Sequence, residues 1–277
     1  MIQWYAPNRR PFVRQPLAMA SAGWLVLAGL AALMAPALTA TGPLAADPAR
    51  ALSPPAAGHL FGTDALGRDV LTRLVWGGRW TFRMGLIGLG LGVGLGLPVG
   101  LAAGALGGIL DQVLMRLVDA LLAFPGLLLA MSVIALLGAG LNQVALAVGL
   151  AAFPAYARVA RSAALEVRAQ PYIDAARSVG ASEWRILVRH VLPNAAAPLL
   201  AFAVVQLGWV LINGAALNFL GLGVAPGTPE WGAMLAEGRG FLRDAPWIAT
   251  FPGLALTTTV LAANLIGDGI QETLRPH

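Results

Sequence analysis

The chain has 277 residues, of which 58% are hydrophobic and 11% charged, too little polar surface to cover a water-soluble globule, so it is read as a membrane protein. Its formal charge of +5 is carried by 18 arginines with no lysine, and there is no cysteine. These absences exclude P-loop lysine chemistry, Schiff-base lysines, thiol nucleophiles, disulfides and cysteine metal sites. His59, His190 and His277 are too scattered to hold a metal.

In chain order, residues 1–16 form a basic tail with Arg9, Arg10 and Arg14, ahead of an uncharged run from 17 to 40 that is too long for a cleavable signal and reads as a first membrane span. Residues 41–83 read as an extracytoplasmic segment. In it FGTDALGRDVLTR suggests a turn followed by an interfacial helix whose apolar face is Val70, Leu71, Leu74 and Val75. Residues 84–277 read as a core of five further spans: 84–110, 117–137, 144–156, 195–219 and 246–266. Six spans bring both termini to one side, so the fold class is an all-α polytopic membrane protein.

With the N-terminus inside, the arginines divide 11 inside (Arg9, Arg10, Arg14, Arg116, Arg158, Arg161, Arg168, Arg177, Arg185, Arg189, Arg275) to 7 outside. The arginine excess is therefore a topology signal rather than a nucleic-acid footprint, and no nucleic-acid partner is expected. Gly88, Gly92, Gly96, Gly100 and Gly104 repeat every four residues of the second span and predict a seam for close helix packing; the alternative is that glycine, as at Gly90 and Gly94, is merely common in membrane helices.

The loop at 158–194 is unusually polar for this chain. Pro171 suits a first helical turn, Asp174 lies near its positive end, and Gly180 is placed to stop the helix. Ser182 and Glu183 then cap a second helix running toward Pro193, where the chain is expected to turn back into the fifth span. A short helix made thin by Ala175 and Ala176 suits docking into a groove better than catalysis. An interfacial helix with snorkelling Arg177, Arg185 and Arg189 is the alternative.

At these residues the sequence resembles the EAA loop of ABC-importer permeases, through Asp174-Ala175-Ala176, Gly180 and Leu192-Pro193. Asp replaces the usual Glu, and His190 stands where an aliphatic residue is common. FGTDALGRDVLTR, RLVDALLAFPGLLLA, IDAARSVGASEWRILVRHVLPN, LNFLGLGVAPGTPEWGAMLAEGR and NLIGDGIQETLRP occur in this order, which resembles the second, C-type subunit of the dipeptide, oligopeptide and nickel permease family. The resemblance, from about His59 to Pro276, implies a type I importer transmembrane domain in the bacterial inner membrane, with both termini cytoplasmic. It also implies a homologous second permease chain, two cytoplasmic ATPases that use ATP and Mg, and an extracytoplasmic binding protein. This chain itself would be no enzyme and would bind no cofactor or metal; besides those partners it meets membrane lipid.

Under this reading Asp174, Ala175, Ala176, Arg177, Gly180, Leu192 and Pro193 couple to the ATPase, with the two alanines allowing close approach and Asp174 and Arg177 making polar contacts at the rim. Glu230, Trp231 and Glu237, on a short helix after the turn at Pro226, Gly227 and Pro229, are expected at an outer rim where the binding protein docks. Gln206, Asn213 and Asn218 line the path or join helices; Gln206 and Asn213, seven apart, would share a face. The substrate is expected to be a peptide-like small solute. An ion-coupled secondary transporter of six helices is the alternative, disfavoured because no acidic residue lies in the middle of any span.

Overall fold

A computed structural model describes residues 12–274. Arg9, Arg10, Arg275 and His277 lie outside the described residues. Among those described, regular structure is helical, apart from two isolated bridges, Ala56 with His59 and Thr63 with Asp69. The main helices are α1 (Pro16–Leu33), α2 (Val70–Leu106), α3 (Gly108–Leu122), α4 (Gly126–Leu137), α5 (Leu141–Arg168), α6 (Pro171–Ser178), α7 (Glu183–Phe219), α8 (Trp231–Gly238) and α9 (Trp247–Leu274).

Several boundaries differ from those expected; the first helix ends at Leu33 and the fourth span is a longer helix, Leu141–Arg168. No separate interfacial helix precedes the second span. Asp69 caps α2 by accepting from the Thr72 N–H at 2.7 Å, and the helix then runs unbroken for 37 residues, through Pro98, to Leu106. The third span is not one helix, since α3 and α4 meet at a 91° bend. Pro125 is the cause: it disfavours helix at Phe124 and supplies no N–H, so α3 ends and α4 begins afresh. The chain also does not turn back at Pro193. A π-helical turn at Leu187–Val191 joins the capped start of α7 to its main body. Widening that turn relieves the clash a proline ring would make with the carbonyl four residues earlier.

The glycine stripe packs as expected. Gly88, Gly92, Gly96, Gly100 and Gly104 are all buried. An added Cβ would meet the carbonyl oxygens of Ala145 at 3.1 Å, Gly149 at 3.4 Å and Phe153 at 2.8 Å, then those of Ala157 and Arg161, while Gly90 and Gly94 face open space. Both partners advance by four residues together, so α2 and α5 run parallel for about four turns. Two parallel neighbours require the chain between them to come back, and the bent α3–α4 pair is that return.

The remaining helices alternate in direction. The Tyr156 hydroxyl donates to the Leu199 carbonyl at 2.8 Å, and farther along the same pair Val167 shares a cluster with Ile186 and Val191, so α7 runs antiparallel to α5. Gly208 faces Asn264 and Gly267 faces Ala201, which makes α9 antiparallel to α7. Gln15, just before α1, donates to the Gly269 carbonyl at 3.3 Å and to Thr273 Oγ1 at 3.4 Å, near the end of α9. The start of the first helix and the end of the last therefore share one end of the bundle. The α5–α7 connection lies there too, because one cavity is walled by Glu166, Gln170, Tyr172 and Asn194 together with Gln271 of α9.

Candidate coupling surface and outer ion cluster

The 158–194 loop folds as two short arms pinned by apolar side chains. Ile173 of α6 and Ile186 of α7 are fully buried and join Leu101, Val167, Val191 and Leu199 in one cluster. Gly180 has φ +83°, a left-handed conformation that favours glycine, and it ends α6 as expected. The Gly180 and Ala181 N–H groups donate to the Arg177 and Ala176 carbonyls at 2.9 and 3.0 Å. Ser182 Oγ accepts from the Arg185 N–H at 3.3 Å, so the predicted cap of the second arm is present.

What these anchors leave free is the opposite face. Asp174, Ala175, Ser178 and Gly180 are exposed. Two apolar side chains join them: Val179 is 85% exposed and Trp184 71% exposed. Ala176 instead turns inward, half-buried against the cluster that holds Ile173. Arg177 bridges the arms, donating from Nε to Glu183 Oε1 at 2.9 Å and from Nη1 to Asp174 Oδ1 at 3.2 Å. Its hydrogen bond with Glu183 raises its already high pKa further, and both acceptors belong to this chain, so it staples the two arms together. Leu192 and Pro193 are exposed and lie beyond the π turn, where α7 becomes regular.

Around this surface α3 is lashed to α5. Arg161 holds Asp111 through two hydrogen bonds of 2.6 Å, and Arg158 pairs with Asp119. Arg168 donates to the Gly104 carbonyl at 2.8 Å, tying the end of α5 to the end of α2.

At the other end the sequence expectation needs correction. Glu230 and Trp231 do not form an outer rim: Glu230 is 0% exposed and Trp231 is buried beside it. Glu230 caps α8 by accepting from the Ala233 N–H at 3.0 Å and accepts the Thr81 hydroxyl at 2.9 Å, while Trp231 Nε1 donates to the Leu74 carbonyl at 2.9 Å. Both residues thus lock α8 onto α2, and neither can reach a partner.

Glu237 belongs to an ion cluster that the sequence reading missed. Arg73, 1% exposed, donates to Asp64 Oδ2 at 2.6 Å and to Glu237 Oε2 at 2.7 Å. Arg68 holds the same two carboxylates at 2.6 and 2.9 Å, and Glu237 Oε1 also accepts from the Gly227 N–H at 3.2 Å. The signal was present in FGTDALGRDVLTR: two arginines five residues apart with an aspartate just ahead.

The amides of α7 separate by role. Asn218 is buried and joins elements, its Oδ1 accepting from the Val224 N–H at 3.0 Å and its Nδ2 facing Met84 Sδ at 3.6 Å. Asn213 is half-buried and donates to the Trp209 carbonyl of its own helix at 2.9 Å. Gln206, by contrast, is buried.

The fold is a helical bundle in which, among the described residues, five helices are long and apolar enough to cross a membrane, or six if the bent α3–α4 pair is one span. Residues 96–277 match the family described as binding-protein-dependent transport system inner membrane component. The chain is 47% identical over 222 residues to the glutathione transport system permease protein GsiD of Shigella flexneri, covering 80% of this chain and 73% of that one. It is 41% identical, over 80% of this chain and 74% of the relative, to GsiD of Pectobacterium atrosepticum. Two inward-facing structures of the MetNI methionine ABC transporter share the fold, with TM-scores of 0.60 and 0.62 at 23% and 22% identity, covering 75% and 74% of this chain and 97% and 98% of theirs. The chain belongs to the binding-protein-dependent permease family and is a permease subunit of an ABC importer.

Proposed function

We propose that the bundle end bearing α6 faces the cytoplasm, and that α6 with the start of α7 is the surface through which partner ATPases drive this permease. Asp174, Ala175, Ser178, Val179 and Gly180 meet the ATPase, with Trp184 beside them. Arg177 holds the two arms at a fixed angle, and Leu192 and Pro193 begin the regular helix that carries displacement into the bundle. The observation that most supports this is the split of α6 into a face buried through Ile173 and an exposed face of small or apolar groups. A helix packed so tightly on one side moves with its bundle, because packed interiors transmit displacement.

A homologous second permease chain completes the translocation path, to which Asn213 is the α7 amide best placed to contribute. The two ATPases use ATP and Mg, and this chain supplies none of the hydrolytic groups. A binding protein delivers substrate at the opposite end, where Glu237 is the expected docking residue that is still partly exposed. The substrate is a small peptide-like solute, and glutathione, which names the relatives, is the first to test.

Gly180→Val tests the coupling. A Cβ at Gly180 meets no neighbour, so the change strains the local backbone by about 1–3 kcal/mol without a packing clash. In vesicles containing all partner subunits, uptake per ATP hydrolysed should fall roughly tenfold while the amount of permease in the membrane stays constant. Unchanged uptake per ATP would overturn the assignment.

A further inference from the structure

At the end of the bundle away from the coupling surface, α1 and α2 diverge and leave a groove of about 710 Å³. Its floor is apolar and includes Leu25 and Gly29 of α1, while Trp76, Arg79, Trp80 and Arg83 of α2 form its rim. The two arginines are exposed and one turn apart, so they present to the same side. Neither has a carboxylate partner among the described residues. Arg79 lies 5.2 Å over the Trp76 ring, and Arg83 reaches only the Asn142 side chain, at 3.5 Å. By contrast Arg68 and Arg73, slightly earlier in the chain, are both paired with acids.

The depth of this rim follows from α2 itself. Between Arg83 and Gly104, whose carbonyl is held by Arg168, lie 20 residues without a charge. They span about 30 Å of helix, the thickness of a hydrocarbon core. Arg79 and Arg83 therefore sit at the headgroup level, with two tryptophans whose amphipathic rings favour that level, and the apolar groove runs from them toward the bilayer interior.

We propose that this groove binds one anionic phospholipid, with the phosphate between Arg79 and Arg83 and an acyl chain along Leu25 and Gly29. Charge selects the occupant: two guanidinium groups without a carboxylate call for an anion, and an apolar slot directly below them calls for that anion to carry a hydrocarbon chain. The lipid holds α1, which otherwise exposes much of its surface, against α2.

The test uses the full-length chain in mild detergent, titrated with phosphatidylglycerol or phosphatidylethanolamine and read by native mass spectrometry. Phosphatidylglycerol should bind roughly thirtyfold more tightly, since two arginines, each adding about 1 kcal/mol of attraction to an anionic headgroup, together give about 2 kcal/mol. Arg79→Gln with Arg83→Gln should abolish that preference, and Arg79→Lys with Arg83→Lys should retain it. Gly29→Leu should reduce binding while preserving thermal stability, because a side chain there enters open space. Equal binding of the two lipids, or an undiminished preference in the glutamine pair, would overturn the proposal. So would a groove that the second permease chain covers, excluding lipid and shielding a cysteine at Gly29 from maleimide in the co-purified complex.

Discussion

Glu230 shows how one residue can be misread when only its position in the chain is known. Beside a proline-rich turn it reads as an exposed acid, yet it is a buried cap that fastens α8 to Thr81. Burial pushes its carboxyl above the ordinary carboxylate range, against the opposing pull of the Ala233 and Gly232 N–H groups and the Thr81 hydroxyl. The sign of the pH effect follows. The stability this group contributes is fully present below the unfolded carboxylate value, about 4.3, and is lost as pH rises through the raised folded value. The unfolding temperature of the purified protein should therefore fall over that rise, and Glu230→Gln, which cannot ionise, should flatten this part of the profile. An identical pH dependence in the variant would show that Glu230 does not carry it.

Among the helices, the glycine seam was the most legible element, because a four-residue repeat of the smallest residue has a direct geometric meaning. Its partner was not legible: α5 contributes carbonyls, and a carbonyl leaves no mark in the sequence. Gly100→Leu should cost about 1–3 kcal/mol of stability by overpacking, since its Cβ would fall on the Ala157 carbonyl. Gly94→Ala should be neutral or stabilising by up to about 1 kcal/mol, as its side chain meets nothing. Chemical unfolding in detergent of the two variants checks this, and equal effects would deny the seam. The helix ends of the coupling loop were also readable, from Pro171, Gly180 and Ser182. Which alanine faces the partner was not, because that depends on how Ile173 rotates α6 onto the bundle. The 91° break was hidden for a related reason: Pro125 was visible, but apolar sequence on both sides read as one continuous span.

For the whole molecule, hydropathy gave the class and five to six candidate spans, and parallel packing of α2 and α5 explains why the short, bent α3–α4 pair is a return. What hydropathy could not give was the arrangement of charges. The Asp64, Arg68, Arg73 and Glu237 cluster joins residues more than 160 positions apart, and such pairing has no local signature. One end of the bundle is thus fixed by buried ions and capped turns, while the other offers a pinned loop with bare apolar tips. In the proposed mechanism force enters at the second end. Because the chain has no cysteine, a single one placed at Val179 reports on that end alone. Paired with a cysteine in the groove of the co-expressed ATPase, it should form a crosslink whose yield changes when ATP is added. Absence of the crosslink, together with labelling of the Val179 position by a membrane-impermeant reagent added from outside the cell, would contradict the account.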